Sequence, residues 1–216
     1  RSAILAAADR CSQHRAVVIV GAGSCLDIPL PELVARFEHV WLTDVVISKP
    51  AAQWARQHPG KITALLWDAT GALDALAARR SSISGADTEA LFRRSRASLP
   101  AQIEPDLLVS ANCVSQLGLI PADALPAARR DDDLAQRVAH AAALAHLDWL
   151  TSCRGVVLLL ADIARLDGAK SGSVTRTMPA SAIRWPVRSI AQSAGEQNAH
   201  PSCTIIRCAR NASVTI

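Results

Sequence analysis

Two glycines and two carboxylates, each placed at the end of a short apolar run, are the residues of this chain best suited to hold a ligand. Val17-Val18-Ile19-Val20 ends in Gly21-Ala22-Gly23. Gly21 has access to backbone torsions closed to other residues, and Gly23 lacks the side chain that would keep a ligand off the turn. Val40-Trp41-Leu42-Thr43 leads into Asp44, which stands 23 residues after Gly21. In doubly wound folds an acid about 20 residues past the first glycine accepts hydrogen bonds from ribose hydroxyls. Ile62 to Trp67 repeats the arrangement and ends in Asp68. Both acids also have a plainer reading as helix N-caps.

Other chemistry finds less support. A fourth apolar run, Leu107 to Ala111, is followed by Asn112 and Cys113. Cys113 lies at the expected mouth of the site, but no His or acid is placed in sequence to activate it, so it reads as a small packed residue. The six cysteines, at positions 11, 25, 113, 153, 203 and 208, form no C-x-x-C pair and read as reduced thiols. The six histidines show no metal-ligand spacing, so no metal is expected. With 23 basic against 19 acidic residues the net charge is only +4, and there is no Tyr and little Phe for base stacking. A nucleic-acid partner is therefore not favoured, and Arg93-Arg94-Ser95-Arg96 reads as a solvated helix face. No apolar run is long enough for a membrane span, and without a targeting segment the chain is expected in the cytoplasm.

The elements that must position these residues follow from the apolar pattern. Runs of four to six β-branched or aliphatic residues read as strands buried on both faces, the signature of a parallel sheet covered by helices. The expected fold is α/β and doubly wound, mostly parallel, in the order 3-2-1-4-5, with the ligand crevice between the first and fourth strand tips. Crossover helices are expected over 31–38, from Ser48-Lys49-Pro50 to Pro59-Gly60, and from a Thr70 cap to about Arg80. A basic amphipathic helix is expected over 87–97, a long loop from Gly118 to Asp132, and a helix capped by Asp133 that turns Ala143, Leu147 and Leu150 to the sheet. Val156 to Ala161 reads as the fifth strand. Cys203–Cys208 and Ser213–Ile216 read as a closing antiparallel hairpin. The whole of 1–216 is expected to form one domain, with 1–14 as an N-terminal helix and 165–200 as a cover or partly ordered segment.

Taken together, Val-Gly-Ala-Gly-Ser-Cys at 20–25, Asp44, Asp68 and the run ending at Asn112 resemble the class I, Rossmann-like S-adenosylmethionine-dependent methyltransferases. The resemblance spans roughly residues 15–165. It implies that Gly21, Ala22 and Gly23 lie against the methionine part of the cofactor, that Asp44 binds ribose, and that Asp68 lies near the adenine amino group. Asn112 would border the methyl group. Two positions depart from the family pattern: Ile19 stands where an acid is often found, and Cys25 replaces the third glycine. Asp27 is either a substitute charge for Ile19 or a helix cap.

The implied activity is methyl transfer from S-adenosylmethionine to a small-molecule acceptor. Gln116 and Asp162, at or just beyond strand ends, are candidates for substrate contact. A non-catalytic sensor that binds S-adenosylmethionine or a nucleotide is the alternative. A nicotinamide-dependent dehydrogenase is disfavoured, because Leu26 occupies the position where that fingerprint wants Gly or Ala, and Leu26 is expected to pack between helix and sheet. Nothing in the sequence sets an oligomeric state.

Overall fold

Alternation inside the first strand decides how the layers are built. In a strand successive side chains point to opposite faces, and both faces of β1 (Ala16–Val20) are apolar. Val17 and Ile19 join one core with Ile4, Leu30, Leu33 and Phe37, whereas Val18 and Val20 join another with Leu108, Trp149 and Leu150. A computed structural model describes residues 1–79, 83–124, 132–161 and 203–209 of the chain, the last of these by backbone alone.

The remaining strands are β2 (His39–Asp44), β3 (Ile62–Leu66), β4 (Leu107–Ala111), β5 (Gly155–Ala161) and β6 (Cys203–Ala209). They form one sheet in the order β3-β2-β1-β4-β5-β6. All five pairings are parallel. The order 3-2-1-4-5 and the Rossmann-like α/β class therefore hold. β6 corrects one expectation: it extends the sheet in parallel with β5, with Cys203 opposite Gly155. The other arm of the expected antiparallel hairpin, 213–216, lies outside the described residues, as do 165–200.

Helices cover both faces. On the first lie α1 (Ser2–Ala8), α2 (Leu30–Arg36) and α3 (Lys49–Gln57). Ser48 caps α3 by accepting from the Ala51 amide, and Pro50 fits the first turn, where its missing N–H costs nothing. α4 (Leu73–Arg79), α5 (Gly85–Arg94), α6 (Leu119–Ala124) and α7 (Asp132–Ser152) complete the chain. Leu76 of α4, Phe92 of α5, and Leu134 and Val138 of α7 share a third apolar cluster.

Several expected boundaries shift for identifiable reasons. α5 starts two residues early because Ser84, not a residue nearer 87, accepts the Asp87 amide as its cap. Gly118 to Asp132 is not all loop, since α6 lies within it. Asp133 is inside α7, where it pairs with Arg137 one turn on. The buried stripe of α7 runs through Val138, Ala142, Ala145, His146 and Trp149, so Ala143 and Leu147 flank it at the half-buried margin. Around the basic cluster, Arg93 pairs with Glu89 and Arg96 with Asp148, both at the surface. Among the described residues no helix is long and apolar enough to cross a membrane.

Candidate functional site

The order of the sheet reverses between β1 and β4, and in open α/β sheets ligands lie outside the carboxyl ends of the strands at that point. A cleft of about 210 Å³ opens there. Its lining brings together residues far apart in sequence: Gly21 and Gly23 after β1, Asp44 at the end of β2, Asp68 after β3, and Cys113 and Gln116 after β4. Trp67, Leu117, Leu119 and Ile120 give it an apolar wall. Its described lining contains two carboxylates and no Lys, Arg or His.

The glycine turn is held by the strand beside it. The amides of Gly21 and Ala22 donate to the Thr43 carbonyl at 2.9 and 3.2 Å. Gly23 donates to Asp44 Oδ2 at 2.9 Å, and Ser48 Oγ donates to the Gly23 carbonyl at 2.5 Å. Gly21 and Gly23 both sit at positive φ, +75° and +49°, which accounts for glycine at each. They differ in what surrounds them. A Cβ on Gly21 would fall 2.6 Å from Cys113 Cβ, whereas one on Gly23 would meet nothing nearer than 4.0 Å. Gly21 is thus required by the protein's own packing, and Gly23 opens onto free space at the cleft.

Cys25, two residues after Gly23, also takes a left-handed conformation, at φ +61°. Its side chain is buried. This corrects the reading of Leu26. Because Cys25 turns inward, Leu26 turns out; it is 74% exposed, and its carbonyl receives the Arg1 guanidinium. No helix–sheet packing involves it, so a polar change there has no core to disrupt.

Asp44 and Asp68 use their carboxylates differently. One oxygen of Asp44 holds Gly23, and the other faces the Val46 amide at 3.5 Å, a weak contact that leaves acceptor capacity. Asp68 accepts from the Thr70 amide and hydroxyl and from the amides of Ala72 and Leu73, all at 2.7 to 2.8 Å. Its cap role is therefore realised in full, and Thr70, expected as the cap of α4, only assists through its contact with Ala72.

Two other sequence-chosen residues lie just off the cleft. Ala22 is buried in the core. Asn112 adopts φ +56°, donates its backbone N–H to the Leu160 carbonyl and accepts Gln116 Nε2 on its backbone carbonyl at 3.3 Å, so it shapes the turn rather than lining the cavity. Asp162 is outside the described residues.

Sequence reasoning missed the base beside Cys113. His146, from the middle of α7, is fully buried and its Nδ1 lies 3.2 Å from the Ala69 carbonyl. A carbonyl can only accept, so Nδ1 carries the proton and Nε2 is the acceptor. Ser110 Oγ lies 3.0 Å from Nε2 and 3.3 Å from Cys113 Sγ; the thiol is 3.8 Å from Nε2. Burial pushes the His146 pKa down to about 4, partly offset by the Ala69 contact. Burial also pushes the Cys113 thiol up to about 11, against the Ser110 hydrogen bond and with help from the charge of Asp44. The resting chain is neutral: thiol, hydroxyl, imidazole, carbonyl. A signal was present, since Ser110 and His146 are polar residues on otherwise apolar faces of a strand and a helix, but only the fold shows that they meet. Comparison with models of known protein families and with curated proteins finds no match to this chain.

Proposed function

We propose that the cleft binds S-adenosylmethionine and that the chain transfers its methyl group to a small-molecule acceptor. The observation that carries this reading is the charge of the site: two carboxylates, and no cation among the described lining residues. Phosphate-bearing cofactors need helix N-termini, Lys or Arg. Here α2 begins seven residues beyond Gly23 and is itself only seven residues long. A cationic sulfonium with no phosphate suits the field that Asp44 and Asp68 create.

The chain's own residues have definable parts in this. Gly23 lets the ligand lie against backbone. Asp44 keeps one oxygen for vicinal hydroxyls while the other holds the turn. Trp67, Leu117, Leu119 and Ile120 exclude water, which is much of what an in-line displacement at a sulfonium requires, together with positioning of the acceptor. Gln116, which borders the cleft, is the residue we assign to acceptor contact. The free thiols of Cys11, Cys25 and Cys113 accord with a cytoplasmic setting.

The sensor reading has one observation in its favour. Neither carboxylate in the described lining is poised as a base: Asp68 is saturated with donors and Asp44 is engaged by the turn. Calorimetry with S-adenosylmethionine, S-adenosylhomocysteine and NAD separates the cases. Binding of the first two but not the third is expected, and turnover on any acceptor then distinguishes enzyme from sensor. NAD binding alone overturns both.

A further inference from the structure

Of the cysteines whose surroundings are described, Cys113 is the one that lines the cleft. It is 9% exposed. Gly21 closes the space on one side, where a Cβ would already be 2.6 Å from Cys113 Cβ and 3.5 Å from its sulfur. Ser110 and His146 close another. An atom bonded to Sγ must therefore project into the cleft.

We propose that Cys113 is a covalent modification site for small, uncharged electrophiles of the α,β-unsaturated carbonyl class, and that modification there shuts the cleft. The second half rests on the ligand reading above; the first does not. In the step, Sγ forms a bond to the β-carbon as the thiol proton passes to Ser110 Oγ and the Ser110 proton passes to His146 Nε2. The imidazolium then returns a proton along the same path to the α-carbon of the enolate. No group leaves, nothing is oxidised, and the protein gains the mass of the electrophile.

The geometry selects the class. A buried protonated thiol reacts only where a base takes its proton as the bond forms, and a neutral imidazole reached through one hydroxyl supplies that base. Asp44 and Asp68 face the same cavity and repel anionic reagents. Its apolar wall receives an uncharged one.

Peptide mass spectrometry after brief exposure of the full chain to N-ethylmaleimide, or to a maleimide bearing a carboxylate, tests this. The expected result is labelling of Cys113 by the uncharged reagent ahead of Cys11 and Cys25, with the anionic reagent slower at Cys113 alone. Ser110→Ala and His146→Gln should each slow Cys113 about 100-fold, the scale of general-base assistance. Cys25, buried in the core, serves as the ruler of folding in both variants, because its rate rises if the fold opens. Saturating S-adenosylhomocysteine should protect Cys113, and labelled protein should no longer bind it. Labelling of Cys113 no faster than Cys11 and Cys25, or equally fast in folded Ser110→Ala, overturns the site. Labelled protein that still binds S-adenosylhomocysteine overturns the closure alone. If the unlabelled protein does not bind S-adenosylhomocysteine, the ligand reading and the closure fall while the reactivity stands.

Discussion

The Gly23 amide and the Asp44 carboxylate are joined by a hydrogen bond of 2.9 Å, so the turn after β1 and the acid at the end of β2 form one unit. Replacing Asp44 with Ala releases the turn and, on the proposed function, removes the acceptor for the ligand's hydroxyls. Its expected cost is roughly 1.5 to 3 kcal/mol of S-adenosylhomocysteine affinity, the range for hydrogen bonds to a charged group. Asp44→Asn keeps an acceptor for Gly23, so it should lose affinity while holding its melting temperature near that of the parent. Calorimetry beside thermal melts reads both.

Asp68 should behave in the opposite way. With four donors converging on it at the start of α4, Asp68→Ala is expected to lower stability by about 1 to 2 kcal/mol in urea unfolding, the upper part of the range for a lost N-cap.

The two glycines of the turn should also separate. Gly21→Ala places a Cβ against Cys113 at an unfavourable torsion, and should destabilise by about 2 to 5 kcal/mol from strain and overpacking together. Gly23→Ala meets no protein atom nearer than 4.0 Å. It should cost about 1 to 2 kcal/mol through its torsion alone, and its larger effect should be on ligand binding.

Stability should fall with acid in a window set by His146. Its folded pKa, about 4, lies below the unfolded value near 6.5. The stabilisation from keeping this imidazole neutral is complete above about pH 6.5, because neither state then takes up a proton there. It is lost as pH falls from there through about 4, since the unfolded chain binds the proton first. The loss is on the order of 3 kcal/mol across the window. In His146→Gln, urea midpoints measured between pH 7 and 4 should fall less steeply by that contribution.

Much of the frame could be read directly. Gly21, Gly23, Asp44, Asp68 and Gln116 were chosen from strand ends, and parallel pairing with the reversal beside β1 gathers them into one cleft. Strand patterns are local, so they survive reading without a fold. Leu26 was misread because its direction depends on the torsion of Cys25, and a positive φ at a residue other than glycine leaves no mark on composition. His146 was missed because its partners are 36 and 77 residues away. Leu26→Ser should accordingly change stability by no more than about 0.5 kcal/mol, as expected at an exposed position.

The contact between Gly21 and Cys113 has a bearing on descent as well as on folding. Position 21 cannot gain volume alone, because a β-carbon there would fall 2.6 Å from Cys113 Cβ where the sheet reverses. In any lineage that keeps this crossover, a residue other than glycine at 21 has to be accompanied by glycine at 113 or by displacement of the turn. Variation at the pair is therefore confined to 113, where growth beyond the β-carbon is directed at the cleft, and that asymmetry would identify remote kin whose overall sequence has drifted beyond recognition.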